Sequence, residues 1–319
     1  MPDSLRRNKN IKLIVILAVL LSLSLWLGSR EQKKSNLDVD QRLFSIEDIE
    51  GVDKIVLQND VAINNLILKS GYWQLNAKYR ADQNLVKLLL AVFNKVEIQR
   101  SVSKKLKPEV INELNTNGIG VEVFSQGEIL QKFLVGGNAT KTNTYFARTV
   151  ENPFIITLPG YNNYVAGIFE LTTNQWRDRL IFSSTWRSLK SLSISYLGLP
   201  QNDILIDYKN DQLVMEGVNT LDTVSMLSYI ENFNQFHAIG FIDSGEYQRF
   251  DSLLTTDVAV TIALNDIDSK KNQVLQLYPR IPNDQYYLGK LSDGQMTLFD
   301  VPSIEVLLKV GEDFDTLKE

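Results

Sequence analysis

The chain has 319 residues and a formal net charge of −5, with 44% hydrophobic and 22% charged residues. This composition is typical of a folded protein and excludes wholesale disorder, and the length predicts two domains of ordinary size. The charges are scattered and form no basic stripe, so nucleic acid is not an expected partner. The sequence contains no cysteine, which excludes disulfides, thiolate metal sites, cysteine nucleophiles and lipid attachment at a cysteine.

An apolar run without charge, Leu13–Leu27, predicts a membrane-spanning helix near the N-terminus. Ile11 and Gly28 extend it to 18 positions if Lys12 snorkels, which is at the short end of the roughly 17 to 25 residues that span a bilayer. A cleaved signal peptide is the alternative, but the run lacks a cleavage site like Ala-x-Ala. We therefore predict a retained anchor over residues 13–28.

Basic residues on the two sides of this run predict its orientation. Four of them precede it, whereas the three that follow, Arg30, Lys33 and Lys34, are accompanied by Glu31. This bias places residues 1–12 in the cytoplasm. The chain is then a single-pass protein of the inner membrane with its later residues in the periplasm. Residues 29–43 are polar and aperiodic, and we predict that they form a tether.

The first predicted module covers residues 44–168. It opens with an alternating strand that contains Ile55 and Leu57. An amphipathic helix follows behind a plausible N-cap, Asp82, with apolar residues at three-to-four spacing. A shorter helix around Pro108 to Leu114 and a β-rich run complete the module. Trp73 lies in an alternating strand and is predicted to fill the core rather than to bind a ligand.

The second predicted module, residues 189–319, repeats this order of features. Leu192 and Ile194 match Ile55 and Leu57 at an offset of 137. Later in the module, the pattern matches Val258 to Val121 at 137 and Tyr287 to Tyr145 at 142. Two copies indicate a tandem duplication rather than a solenoid.

The distribution of strands and helices predicts the fold class. Strands bunch at both ends of each module with the helices between them, which argues against alternating parallel units. The predicted class is α+β: two tandem similar modules, each a mainly antiparallel sheet with helices on one side, carried by one N-terminal transmembrane helix.

Residues 169–188 form the predicted connector between the modules. Asp178 is expected to pair locally with Arg177 or Arg179. The connector also carries large aromatic residues that are expected to bury an interface between the modules: Phe169, Trp176 and Trp186.

No motif identifies a reaction. His237 is the single histidine of the chain, and a structural role is favoured over a lone base. The glycine cluster at 136–140 lacks a phosphate-loop ending and predicts a turn between strands. Residues 265–271 resemble a calcium loop only faintly, and a hairpin turn is favoured. We therefore predict no catalytic residue, no cofactor and no metal site.

Several segments together resemble the bacterial family called domain of unknown function 4340. They are the opening strand from Lys54, the helix from Asp82, and three short motifs: Gly71-Tyr-Trp-Gln-Leu75, Phe133-Leu-Val-Gly-Gly137 and Trp176-Arg-Asp-Arg-Leu180. The strand Thr144-Tyr-Phe-Ala-Arg148 also belongs to this resemblance, which covers roughly residues 53–181. It implies a membrane-anchored extracytoplasmic protein, often found near ABC transporters related to gliding-motility auxiliary components, and carries over no catalytic residue.

The favoured function is that of a non-enzymatic accessory protein that docks a protein partner in the periplasm near an ABC transporter. One alternative is a module that binds envelope glycans or peptides through exposed aromatics such as Tyr161, Tyr164 or Tyr286. The other is a hydrolase that uses two carboxylates, which requires two acids facing each other in a cleft.

Overall fold

The computed structural model describes Ser22 and residues 40–161, 164–218, 220–243 and 245–316. The predicted anchor, residues 13–28, lies outside these residues except for Ser22, and so do residues 29–39 of the predicted tether. No helix within the described part of the chain is both long enough and apolar enough to cross a membrane.

The first half of the described chain forms one antiparallel sheet with the strand order β4-β3-β2-β1-β6-β7-β8-β9-β5. Its helices are α1 (Gln83–Lys95) and α2 (Lys107–Asn117). Its strands are β1 (Lys54–Gln58), β2 (Ile63–Lys69), β3 (Tyr72–Leu75), β4 (Tyr79–Arg80), β5 (Glu97–Ser101), β6 (Ile119–Ser125), β7 (Glu128–Gly137), β8 (Thr144–Ala147) and β9 (Pro153–Thr157).

The second half forms another antiparallel sheet with the order β13-β12-β11-β16-β17-β18-β19-β15. Its helices are α4 (Thr223–Ile230) and α5 (Val301–Leu307), after a short α3 (Thr173–Trp176). Its strands are β11 (Leu189–Tyr196), β12 (Ile204–Lys209), β13 (Gln212–Met215), β15 (Gly240–Ile242), β16 (Val260–Asp266), β17 (Gln273–Leu277), β18 (Tyr286–Leu291) and β19 (Met296–Asp300). Between the sheets, β10 (Leu180–Phe182) pairs with β14 (Phe236–His237).

The α+β class is therefore confirmed, and the two sheets agree in strand order. The predicted caps also form. Asp82 accepts hydrogen bonds from the amides of Asn84 and Leu85 at the start of α1, and Asp222 does the same at the start of α4. Such a cap satisfies amides that have no partner within the helix.

The prediction that helices cover one side of each sheet is wrong. In the first half, α1 packs its apolar residues into a large core with Phe146, whereas α2 packs Val110 and Leu114 into a smaller cluster with Tyr145. Adjacent residues of a strand point to opposite faces, so α1 and α2 lie on opposite faces of the sheet. In the second half, α4 and α5 both pack into the large core with Phe299, whereas a 3-10 helix, Gln248–Thr255, packs Phe250 into the small cluster with Leu298. Helical segments therefore lie on both faces of this sheet as well.

The predicted repeat offsets are partly wrong. Leu57 pairs with Val121, and its counterpart Ile194 pairs with Ile262. The counterpart of Val121 is therefore Ile262, four residues beyond the predicted Val258. Tyr145 faces the small cluster of its sheet as Leu288 does, whereas Tyr287 packs on the large core. Loop insertions of a few residues, which surface connections tolerate, account for both shifts.

A returning segment of chain closes each sheet, at the β4 end of the first sheet and at the β13 end of the second. In the first half the Asp82 amide donates to the Trp176 carbonyl at 2.8 Å, and the Asp178 amide donates to the Arg80 carbonyl at 2.9 Å. In the second half the Asp222 amide donates to the Phe314 carbonyl at 2.9 Å. We call residues 176–178 and 314–316 the closing segments. They cover edges that otherwise present unpaired backbone groups.

The predicted turn at 136–140 does connect two strands, β7 and β8, and its two glycines make room for large side chains. A Cβ on Gly136 would lie 2.8 Å from Leu114 of α2. A Cβ on Gly137 would clash with the hydroxyl of Tyr164. The double glycine is thus a packing requirement of the two faces of β7.

We predict that Gly137→Ala destabilises the protein by about 1 to 3 kcal/mol, because the added methyl overpacks this contact. The control is Gly120→Ala in the neighbouring strand β6, where a Cβ meets only the Gln58 carbonyl, at 3.5 Å. Urea unfolding followed by tryptophan fluorescence measures both. Equal stability of the two variants would contradict this account of the glycine pair.

Candidate functional site

A cleft of about 550 Å³ lies between the two sheets. Its first wall comprises the tip of the β1–β2 hairpin, residues 59–64, and the segment 169–175. Its second wall comprises residues 239–243 with Glu246 and Tyr247. Buried apolar side chains, including Ile119 and Phe169, form its floor. A concave apolar floor with a few polar groups is the usual form of a binding site, and the volume lies in the range of such sites.

The side chain of Arg177 joins the two halves beside this cleft. Its guanidinium carbon lies 3.9 Å from the ring centroid of Tyr79, in the first sheet, and 3.4 Å from that of Phe241, in the second. Arg177 is only 4% exposed. Burial lowers the pKa of this guanidinium, and the fields of Asp293 and Asp243 partly oppose that effect. An arginine held between two aromatic faces makes a favourable contact on each, about 2 kcal/mol where water is excluded.

The prediction that Asp178 pairs with Arg177 or Arg179 is wrong. Asp178 forms an ion pair with Arg80 at 3.2 Å. Arg177 turns into the aromatic stack, and Arg179 donates to the Ile239 carbonyl at 3.1 Å. Backbone pairing of the closing segment with Arg80 brings that cation next to Asp178, which is the physical reason for the difference.

Hydrogen bonds fix the walls of the cleft. The buried side chain of Asn64 donates to the Leu171 carbonyl at 3.2 Å and accepts from the Thr173 hydroxyl at 2.7 Å. The capping box of Thr172 and Gln175 closes the first turn of α3. One side-chain hydrogen bond crosses from wall to wall, from Asn174 to Asp243 at 3.1 Å.

The second wall is acidic, with Asp243 and Glu246. None of the described residues that line the cleft is a lysine, arginine or histidine. The three lining carboxylates already have structural partners. Glu170 accepts from Tyr164 and Lys141, Asp243 accepts from the Asn174 side chain, and Glu246 accepts from the Asp243 amide at 3.0 Å. The cleft therefore suits a neutral or cationic group.

The three tyrosines proposed as a binding platform do not come together, and none of them lines the cleft. Tyr161 is 60% exposed at a turn of the first half. Tyr164 is half-buried, and burial and its hydrogen bond to Glu170 raise its pKa far above the usual range. Tyr286 belongs to the second half and is half-buried. The tyrosine that does line the cleft is Tyr247, which the sequence pattern did not single out.

The aromatic residues of the predicted connector divide between the two halves. Phe169 and Trp176 are buried in the core of the first half. Phe182 is buried in the core of the second half, whereas Trp186 is 37% exposed and stacks with Arg187. Arg177 and the hydrogen bond from Asn174 to Asp243 join the halves at this point, and the expectation that Trp186 is buried there is wrong.

Residues considered for other chemistry have structural surroundings. His237 is exposed, and its Nδ1 lies 2.8 Å from the Gln235 carbonyl oxygen. Residues 265–271 form the connection between β16 and β17, as predicted. No group of three or more potential metal ligands occurs among the described residues.

Comparison with family models matches residues 73–252 to the family described as domain of unknown function (DUF4340). The match covers more than half of the chain. The chain belongs to the DUF4340 family. Comparison with curated proteins and with solved structures gives no match. The family match begins at Trp73 in β3 and continues into the second half, so both walls of the cleft contain matched residues.

A buried carboxylate holds the start of the second half of this DUF4340 protein. Asp266 accepts from the Ser184 hydroxyl, from the Ser188 hydroxyl at 2.7 Å and from the Asp268 amide at 2.9 Å. Burial alone raises its pKa, but these hydrogen bonds and the charge of Lys271 outweigh burial and lower it. The cluster lacks a histidine and anchors residues 183–188 to the β16–β17 connection.

We predict that Asp266→Asn lowers the free energy of unfolding at pH 7 by about 2 kcal/mol, since hydrogen bonds to a charged group are lost. The folded-state pKa lies below the unfolded value of about 4, so ionised Asp266 stabilises the protein above that pH. Its contribution disappears as pH falls through the folded pKa, and the variant should lose less stability below pH 4 than the native chain.

Urea unfolding between pH 7 and pH 2 measures this difference. Asp211→Asn is the matched control, because it makes the same change in an exposed turn where Asn tolerates the positive φ of 63°. Parallel pH profiles for Asp266→Asn and the native protein would contradict a stabilising role for the ionised carboxylate.

Proposed function

We propose that this chain is a non-enzymatic accessory protein that docks a protein partner outside the cytoplasm through the cleft between its two sheets. The observation that carries the proposal is the cleft itself, with its apolar floor, its hydrogen-bonded walls and one acidic side. Its groups are arranged to bind rather than to react, because the carboxylates of Glu170 and Asp243 are engaged in structural hydrogen bonds.

The proposed location rests on the sequence. The apolar run at residues 13–28 and the basic residues before it support a single-pass anchor in the inner membrane, with residues 1–12 in the cytoplasm and the two sheets in the periplasm. The resemblance of the DUF4340 motifs to proteins found near ABC transporters supports a transporter component as the partner. A tether that ends near residue 43 keeps the cleft within reach of such a membrane complex.

We also propose that the two halves are tandem modules of one ancestral type. The common strand order, the equivalent caps at Asp82 and Asp222, and the equivalent closing segments support this proposal. The closing segments suggest a boundary next to Asp178, rather than the predicted connector over residues 169–188. After that point β10 pairs within the second half, and Phe182 packs in its core.

We predict that fragments 40–178 and 179–316 each fold with a cooperative melting transition, because each carries its own large core. A cut after Phe182 is the matched control. It removes β10 from the second half and should destabilise that half far more than a cut after Asp178. If neither fragment 40–178 nor fragment 179–316 shows a cooperative transition, the proposal of separate modules is contradicted.

Binding of an envelope glycan or peptide is the second candidate function. Tyr247 favours it, because an aromatic ring beside carboxylates at a cleft is a suitable surface for sugar rings or for a cationic peptide side chain. This candidate uses the same cleft as the first and differs in the nature of the occupant.

We predict that Val61→Arg and Tyr247→Ala abolish recovery of the partner when the tagged full-length protein is purified from membranes in mild detergent. Val61 is 92% exposed on one wall and Tyr247 is 39% exposed on the other, so neither change should unfold the chain. The control is Val224→Arg, the same change at a residue that is 78% exposed on α4 and does not line the cleft.

Mass spectrometry identifies the co-purified proteins. A transporter component that is retained by Val224→Arg and lost in both cleft variants is the expected result. Equal recovery in all variants would place docking elsewhere, and binding of isolated glycan fragments with no protein recovered would favour the second candidate. Recovery of the native chain in the soluble fraction would contradict the anchor.

A further inference from the structure

The two large cores are separate. The first contains residues of β1 to β9 with Trp176, and the second contains residues from Ile181 onwards. Between them runs an extended segment, residues 177–182, which we call the ribbon. Two separate cores joined by a short extended segment are expected to move relative to each other unless a specific contact holds them.

The ribbon is bound to the first sheet at its start and to the second half from Arg179 onwards. At its start, backbone hydrogen bonds of Trp176 and Asp178 bind it to the first sheet. The Arg179 carbonyl then accepts from the Ala238 amide at 2.9 Å, which binds it to the second half. The change of partner occurs across the peptide between Asp178 and Arg179. A hinge is a short stretch at the end of an element that absorbs a change in backbone angles, and this peptide is in that position.

Arg177 is the contact that resists rotation about the ribbon. Its guanidinium touches one ring from each half, Tyr79 and Phe241. Its one described side-chain hydrogen bond, to Asn174, is long at 3.5 Å, and it forms no ion pair within 4 Å among the described residues. Stacking therefore supplies most of its attachment, and a rotation that separates the halves removes one of the two stacks.

We propose that the cleft opens and closes about the ribbon, and that the stack of Tyr79, Arg177 and Phe241 is the latch that holds it closed. The proposal goes beyond the docking function, because it concerns the motion of the cleft and not the nature of its occupant. The stack lies beside Asn174, whose side chain also holds the opposite wall through Asp243.

The latch is coupled to the cleft through this asparagine. A cationic group that enters the cleft and binds Asp243 replaces the Asn174 side chain there. Asn174 is then released from the second wall. Of the two side-chain contacts described above between the halves, only the stack remains. Such an occupant binds the open form better than the closed form, and it shifts the population by that difference in affinity.

The experiment measures distances across the cleft in the full-length protein in mild detergent. Because the chain has no cysteine, two spin labels can be attached at introduced cysteines alone. Val61→Cys with Gln248→Cys reports across the cleft, since one residue is at the hairpin tip and the other is exposed in the second half. Val224→Cys with Gln248→Cys reports within the second half.

Pulsed electron resonance is then recorded with the latch intact and removed. Arg177→Ala should add a population at longer distance for the cross-cleft pair and leave the pair within the second half unchanged. Phe241→Leu, which keeps an apolar side chain but removes the ring, should do the same. Arg187→Ala removes another arginine–aromatic contact, with the exposed Trp186 at 4.3 Å, and should change neither distance.

Two results would overturn the latch. One is an unchanged cross-cleft distance in both Arg177→Ala and Phe241→Leu. The other is a change within the second half as well, which would make Arg177 part of the support of that core. The distance measurement contains no partner, so it can support the latch even if the co-purification experiment recovers no partner. Conversely, a cleft that does not open would contradict the latch but not the docking function.

Discussion

The arrangement of the two sheets depends on one cation that is held between two aromatic rings. Arg177 is the residue at which the closing segment of the first sheet meets the second sheet, and its stack spans the junction. An ion pair at this place would require a carboxylate to be buried with it, at a large cost of desolvation. Aromatic faces hold the guanidinium without that second buried charge, and the nearby Asp243 remains accessible in the cleft.

The sequence predicted those features that depend on local chemistry. The spacing of apolar residues such as Leu89 and Val92 predicts the helix, and the side chain of Asp82 alone predicts its cap. Both features are therefore visible in the local sequence. The face of a strand depends on register, and an insertion of one residue reverses it. For that reason Tyr145 was matched to Tyr287 rather than to Leu288, and the coverage of both sheet faces was missed.

The site was less predictable than the fold, because its residues come from distant parts of the chain. Asp178 has arginines on both sides in the sequence, which favoured a local ion pair, whereas the actual partner is Arg80, brought close by backbone pairing. Tyr79 and Phe241 give no signal of a shared cation. Tyr247 lies two residues after Gly245, which has a positive φ. A glycine turn of this kind was the one feature that indicated an exposed aromatic residue here.

The closing segments have a consequence for the order in which the chain folds. Under the proposed division into two modules, the first sheet needs no residue beyond Asp178 and can be complete while the second half is still being synthesised, since domains generally fold in that order. β10 can pair only after Phe236 has been synthesised, and the stack can form only after Phe241 has been synthesised. Both residues come more than fifty positions later in the sequence. Until then Arg177 is an exposed charge at the end of the first folded module. It becomes buried only when the second module folds and packs against the first.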